Sequence, residues 1–240
     1  MTRNFFGPKS WLLACVLLWT QAALAVDYIP LDLSALKDSD LSLLTGGADY
    51  ALVVNGASGV WSPSVGPVPF DVGAAGTNRM WFSECNYGIA GACGDTLSVT
   101  TSVANATGVY TLINTGYGVL GPSARVTLRF AGGGTQVTDL AGGFDIRDHN
   151  QASWPNSVSS PNTVTVFDNG LRRLDRQFIA ISPAFAGQTL TSIDILDTVP
   201  GGSSELLVTG VTVAAVPEPS AFGLMIVGVC VVGWRLRRRI

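Results

Sequence analysis

Charged side chains are scarce in this chain and histidine is almost absent. Asp, Glu, Lys and Arg make up 13% of the 240 residues, against about a quarter in an ordinary soluble domain. The single histidine, His149, excludes a catalytic zinc built from several imidazoles. No Gly-x-Ser-x-Gly elbow presents a serine nucleophile, so the usual frame for a Ser-His-Asp triad is missing. Cys-x-x-Cys is missing too, which disfavours a metal or redox role for the four cysteines. There is no internal repeat and no long 3.6-residue apolar period, which argues against solenoids and helical bundles.

What is present is unevenly spread. Mean hydropathy is +0.36 and 47% of residues are apolar, with the excess at the ends, in residues 11–25 and 221–234. The 28 glycines and 12 prolines are too few for a low-complexity chain but enough for many turns. Between the ends, residues 26–216 hold eight basic and 16 acidic side chains, a net charge near −8. Such a domain repels phosphate backbones, so nucleic acid is not an expected partner.

Residues 1–25 have the three parts of a secretory signal. Arg3 and Lys9 supply the positive start, residues 11–19 the apolar run, and Ala23-Leu24-Ala25 the small-x-small cleavage site, leaving Val26 as the new N-terminus. The run is shorter than the ~20 residues that span a bilayer. Lys9 lies too close to Cys15 for a lipoprotein signal, so Cys15 is expected to be discarded with the peptide.

At the other end, Pro217-Glu218-Pro219 precedes an uncharged apolar stretch, 221–234, and then Arg235, Arg237, Arg238 and Arg239. The prolines stop regular helix at 217–219, and Ser220 is a good N-cap for a helix over the apolar stretch. Such a helix, over residues 221–234, would be about 21 Å long, a single short transmembrane segment that needs snorkelling or bilayer thinning to cross. The terminal arginines act as a membrane stop and place the C-terminus in the cytoplasm.

This order of parts closely resembles the PEP-CTERM sorting signal, over residues 216–240. The resemblance implies a Gram-negative, exopolysaccharide-producing host. It also implies a partner, a membrane-embedded exosortase that reads and cuts the Pro-Glu-Pro segment. The anchored precursor would then pass from the inner membrane to the cell surface or medium. The Leu-Pro-x-Thr-Gly box of sortase tails is absent. The resemblance assigns no activity to residues 26–216.

That middle portion reads as one all-β domain, an antiparallel β-sandwich or jelly roll, between the signal (1–25) and the sorting tail (217–240). Candidate strands are 50–54, 68–72, 80–83, 96–103, 109–114, 124–130, 135–140, 163–167, 177–181, 189–196 and 205–214, rich in Val, Thr, Ile, Tyr and Phe and broken by Gly, Pro, Asn and Asp. Residues 31–44 fit either a short helix or a lead-in strand. Asp168-Asn169-Gly170 signals a turn between two strands. Gly116 to Gly121 matches G-x-G-x-x-G, but the next segment, 124–130, alternates like a strand. The match is therefore expected to be a hairpin loop and not a dinucleotide site.

Three groups of residues have candidate chemistry. Asp145, Asp148 and Asn150 offer oxygen ligands for calcium, yet the spacing fits side chains bonding the backbone of a turn better. Arg172 to Arg176 reads as a solvated strand face with a local ion pair. Trp61, Trp81 and Trp154 are the candidate carbohydrate-binding platforms, set against the core or rim packing that accounts for most tryptophans in sandwiches. No cofactor and no metal is expected.

The expectation is therefore a non-enzymatic surface or extracellular-matrix protein with a structural or adhesive, carbohydrate-contacting role. The rivals are an envelope-anchored polysaccharide hydrolase, which needs carboxylates or His149 converging in a cleft, and an ice- or surface-binding module, which needs a regular Thr array. Cys85 and Cys93 are the two cysteines left after export and are expected to form a disulfide closing a nine-residue loop, contributing about 2.5 kcal/mol on the chain-entropy model. The exported domain should show no free thiol before reduction and should melt at a lower temperature after it. Alkylation of both cysteines in unreduced, unfolded protein would exclude the bridge.

Overall fold

Runs of Val, Thr, Ile and Leu separated by Gly, Asn and Asp become strands because β-branched side chains pack well on a pleated surface and the breakers supply turns. A computed structural model describes residues 26–37, 59–66, 68–73, 80–83, 94–153, 155–199 and 204–217. Two compact units are present: residues 28–215, and the chain ends, 1–27 with 216–240. Only residues 26, 27, 216 and 217 of the second are described.

The described strands are β1 (Asp27–Pro30), β2 (Val60–Trp61), β3 (Phe70–Asp71), β4 (Trp81–Phe82), β5 (Thr96–Val103), β6 (Ala106–Gly116), β7 (Gly121–Phe130), β8 (Thr135–Gly142), β9 (Thr163–Asp168), β10 (Arg173–Ala180), β11 (Leu190–Asp197) and β12 (Glu205–Ala215). One short 3₁₀ turn, Pro183–Phe185, is the only helical element among the described residues. The described residues are all-β, as expected, and the main sheets pair antiparallel. One sheet runs β1-β12-β6-β10-β9, with β4 also on β12; the other runs β5-β11-β7-β8. The two are the leaves of a sandwich. Val109 and Ile113 of β6 and Val211 and Val213 of β12 share one core with Leu97 of β5, Val126 and Leu128 of β7, and Ile193 and Ile195 of β11.

β12 shows how sequence parity sets this packing. Leu206 and Val208 point into the core, and so do Val211, Val213 and Ala215. Even positions give way to odd ones because the ladder to β6 shifts register between Val208 and Gly210. An extra residue in one strand re-aims every side chain beyond it. Without that bulge the second half of β12 would turn its valines away from the other sheet.

The outer face of the β12-β6-β10 sheet is covered as well. Val68, Phe70, Val72 and Met80 pack on Leu112, Leu174, Leu207 and Val166 in a second core. Gly210 makes this possible, since a Cβ there would meet Phe70 Cβ and Cδ1 at 3.1 Å. The covering segment is tied down by Arg176 Nη1 donating to Gly66 O at 2.6 Å and Lys37 Nζ donating to Asp71 O at 3.0 Å. Thr212 Oγ1 also donates to Pro69 O.

The expected strands from 96 onward appear close to their predicted bounds, while β1 and β2 had no strand signal in the sequence. The candidate strand 50–54 lies outside the described residues. Within 31–44, residues 34–36 form a turn in which Ser34 N donates to Asp32 Oδ1 at 2.8 Å. Asp168-Asn169-Gly170 does turn a hairpin, with Asn169 Oδ1 accepting from the amides of Leu171 and Arg172 and Gly170 at φ +86°. The glycine-rich segment 116–121 is not a hairpin loop: β6 and β7 belong to different sheets, so it is a crossing between leaves.

Phe70→Ala should test the outer cover. It removes a fully buried ring, and the domain is expected to lose about 3–5 kcal/mol in urea denaturation. A loss below about 1 kcal/mol would mean that the covering segment contributes little.

Candidate functional site

Two places on the chain concentrate functional features, and they lie at opposite ends of β12. At its C-terminal end, Ala215 still pairs with Ala106 and is buried, Val216 is 37% exposed, and Pro217 comes directly after it. The recognition segment is thus joined to a fully paired strand by one residue. Glu218, Pro219, Arg235, Arg237, Arg238 and Arg239 lie outside the described residues, as do Ala23 and Ala25 of the cleavage site and Cys85 and Cys93. Val26, the expected new N-terminus, is exposed.

At the other end the segment between β8 and β9 folds against the start of β10 and the end of β6. His149 N donates to Thr115 O at 2.9 Å, and His149 Nδ1 lies 3.0 Å from the same oxygen. A carbonyl only accepts, so the ring proton sits on Nδ1 and Nε2 is left as the basic nitrogen. Burial holds the imidazole pKa below its ordinary value, against the opposing pull of the Thr115 carbonyl and Asp148. Gly116 lies between this ring and the first residue of β12. A Cβ at Gly116 would meet Glu205 Oε2 at 3.6 Å and His149 Cε1 at 3.9 Å. Burial, with a smaller push from Asp197, raises the Glu205 pKa. An imidazole kept neutral and a carboxyl reluctant to ionise therefore lie around Gly116.

Beside them lies a buried ionic network. Arg147 grips Asp175 with two nearly parallel bonds, Nε to Oδ2 at 2.8 Å and Nη2 to Oδ1 at 2.9 Å. Asp175 is 1% exposed, and Asn114 closes around it from β6, donating to Oδ2 and accepting from its amide, both at 3.0 Å. The hydrogen bond to Asp175 raises the Arg147 pKa. Removing one member of such a pair leaves an uncompensated charge at a cost of about 3–5 kcal/mol. The expectation of a solvated strand face at 172–176 is corrected here. Arg173 and Asp175 are buried, and Asp175 pairs with Arg147 from a distant loop rather than with its neighbours. Chain spacing along β10 showed only alternation, and the loop that brings Arg147 had no signal.

The Asp145, Asp148 and Asn150 carboxylates and amide serve local turns. Asp145 Oδ2 accepts from Ala141 N at 3.1 Å, Asp148 Oδ1 from Asn150 N at 2.7 Å, and Asn150 Oδ1 from Ala152 N at 3.0 Å. Among the described residues no three His, Cys, Asp or Glu side chains gather as a metal site. The tryptophans do not come together as a platform. Trp81 is 6% exposed in the main core beside β12, so it is a packing residue and not a sugar platform. Trp61 is half-buried against the outer core, and Trp154 lies outside the described residues. The exposed apolar side chains of this end are instead Tyr117 (66%), Leu120 (60%), Phe144 and Leu171. Tyr117 takes a left-handed φ of +54°, unusual for a bulky residue. Its place between two glycines was the one sequence hint.

Comparison with known proteins bears on the tail. The family model of the PEP-CTERM protein-sorting motif matches residues 215–239. The chain carries the PEP-CTERM sorting motif. That motif supports an exported, exosortase-sorted protein. The matched motif starts at Ala215, the last residue of β12. No curated protein matches the PEP-CTERM chain. Among solved structures it is similar to the crystal structure of infectious bursal disease virus VP2 subviral particle, at 14% identity and a TM-score of 0.30, covering 82% of this chain and 53% of that one. The PEP-CTERM chain thus spans about half the length of the viral chain, and so loose a likeness carries neither fold nor function across. Among the described residues no helix is long and apolar enough to cross a membrane.

The His149 environment sets a pH dependence with a defined sign. A folded-state pKa below the ordinary 6.5 gives stability that is present above 6.5 and lost as pH falls through the lower, folded value. The raised pKa values of Glu205 and Asp197 act oppositely, so their stabilising effect grows as pH falls. Wild type and His149→Gln should therefore be compared. The mutant should lose less melting temperature than wild type on acidification from above to below 6.5. Equal losses would show that the ring is not held neutral.

Proposed function

We propose that this PEP-CTERM chain is a non-enzymatic structural or adhesive β-sandwich of the cell surface or extracellular matrix, with contacts to polysaccharide. The sorting motif at residues 215–239 is the observation that carries it. A protein addressed outward by a tail that is cut away acts through the exported domain as a body in the matrix. The described carboxylates favour a scaffold: Asp175 holds the Arg147 loop to β10, Asp148 accepts from Gly118 N in the crossing between sheets, and Asp139 and Asp194 pair with Arg125 and Arg129 on the surface. The exposed, conformationally constrained Tyr117 and half-buried Trp61 supply aromatic faces on which sugar rings stack.

The signal peptide, the short transmembrane helix at 221–234 and the Arg-rich stop complete this reading. The precursor is held transiently in the inner membrane, then cut near Pro217-Glu218-Pro219. Rigid, extended Pro-Glu-Pro is the recognised shape, and Glu218 supplies its one charge. Pro217→Ala with Glu218→Ala should leave export intact and trap uncut protein in the inner membrane. Leu224→Ile should change nothing. Charge reversal at Arg237, Arg238 and Arg239 should impair retention. The measurement is tail-containing mass in the membrane fraction, with and without the exosortase. Normal processing of the motif mutant would reduce the tail to a plain anchor.

A second reading, an anchored polysaccharide hydrolase, is favoured by one observation, the placement of His149 and Glu205 around Gly116. A screen of polysaccharides with wild type and Glu205→Gln separates the two. Binding without turnover supports the adhesive role, and turnover lost in the mutant selects the hydrolase.

A further inference from the structure

Three aromatic rings from distant parts of the chain meet on the outer face of the sheet that holds β12. Along β6, Val109 and Ile113 face the core between the leaves, so Tyr110 and Leu112 point the other way, and Tyr110 packs beside the outer core. Tyr110 is paired with Phe178 on β10 and with Thr212 on β12. The Tyr110 and Phe178 ring centroids are 4.6 Å apart, and Tyr28 of β1 meets Tyr110 edge-on at 5.9 Å. Tyr28 reaches Tyr110 across β12, the strand between theirs. Val211 and Val213 of that strand face inward, so its outward side chains there are the small Thr212 and Ala214. Gly108 does the same on the other side: a Cβ there would collide with the Phe178 ring, which lies over a position that only glycine can fill.

These rings are not sealed in a core. Tyr28 is 38% exposed, and Tyr110 and Phe178 are half-buried. Phe70 of the covering segment sits one row along the sheet, over Gly210, which is opposite Leu112. Arg176 lies in that row, paired with Leu112. Its Cζ is 5.3 Å from the Tyr110 ring centroid, and its hydrogen bond to Gly66 O is exposed. Among the described residues no carboxylate lies within ion-pair distance of it. Aromatic faces with a donor fork at their rim suit a chain of sugars. The C–H faces of pyranose rings rest on the aromatics, and their hydroxyls accept from the guanidinium and exchange hydrogen bonds with tyrosine. Sugars whose hydroxyls are all equatorial have the flattest C–H faces. One guanidinium does not offset a net charge near −8, so an acidic polymer is repelled and a neutral one is not.

We propose that Tyr28, Tyr110 and Phe178, with Arg176 at their rim, are the surface on which the exported domain holds a neutral polysaccharide of equatorially substituted sugars. The proposal rests on the reading of this domain as a polysaccharide-contacting body, and it moves the main contact from Tyr117 and Trp61 to the outer sheet face. Strands of one sheet fix the rings before the ligand arrives, so little ordering is left to the binding step.

Affinity electrophoresis of the full chain in neutral detergent tests this. One native gel contains hydroxyethylcellulose, a neutral polymer of equatorially substituted sugars; the other contains carboxymethylcellulose, which carries acidic groups on the same backbone. The wild type should be retarded by the first and not by the second. Tyr28→Leu and Phe178→Leu each keep apolar bulk while removing a ring, and binding should weaken about tenfold in each, with thermal melting as the check on folding. Tyr117→Ala should bind as the wild type does. Wild-type affinity in both leucine variants overturns the proposal; if Tyr117→Ala or Trp61→Ala loses binding instead, the polysaccharide role stands at those residues and not at this strip. Stronger retardation by carboxymethylcellulose overturns the neutral class of ligand. A wild type retarded by neither polymer overturns this site, and only failure in the wider polysaccharide screen as well overturns the adhesive role.

Discussion

The ladder between β6 and β12 is the interaction on which the rest of this protein depends. It runs from Glu205 opposite Gly116 to Ala215 opposite Ala106, and both strands are buried along nearly their whole length. Every amide in such a strand needs a partner, because a buried backbone group left unpaired costs as much as a lost hydrogen bond. β12 meets that demand on its other edge with β4 near its start and with the chain around Leu31 farther along, whose amide donates to Val211 O at 2.9 Å. The early segments of the chain thus complete the strand that is made last.

That arrangement has consequences at both ends of the ladder. At the start of β12, Glu205 is drawn towards Gly116 and His149, and burial moves the two ionisable groups in opposite directions. At its finish, one residue separates Ala215 from Pro217 of the sorting motif.

Polar burial beside the ladder serves a different purpose. Arg147, Asp175 and Asn114 lock the long segment after β8 to β6 and β10. A buried bidentate pair of this kind adds little net stability compared with a hydrophobic replacement, yet it penalises any other placement of the loop. The exposed Tyr117 and Leu120 stand close in sequence to this locked region, so a ligand surface there would be preorganised rather than folded on contact.

The residue order alone determined the sorting motif and the strands from 96 onward. The Pro-Glu-Pro motif and the arginines after it are read from local composition, and strands from 96 to 215 announce themselves through alternation and turn residues. These properties are read over a few neighbouring positions, so no fold is needed to see them. Tertiary structure decided what depends on distant partners. It turned 116–121 from a hairpin into a crossing between sheets and buried Asp175 by bringing Arg147 to it. It placed Trp81 in the core and set His149 beside Glu205. Each of these results from which strands pair across long sequence separations, and pairing is chosen by burial of whole faces, a collective property that no local pattern records.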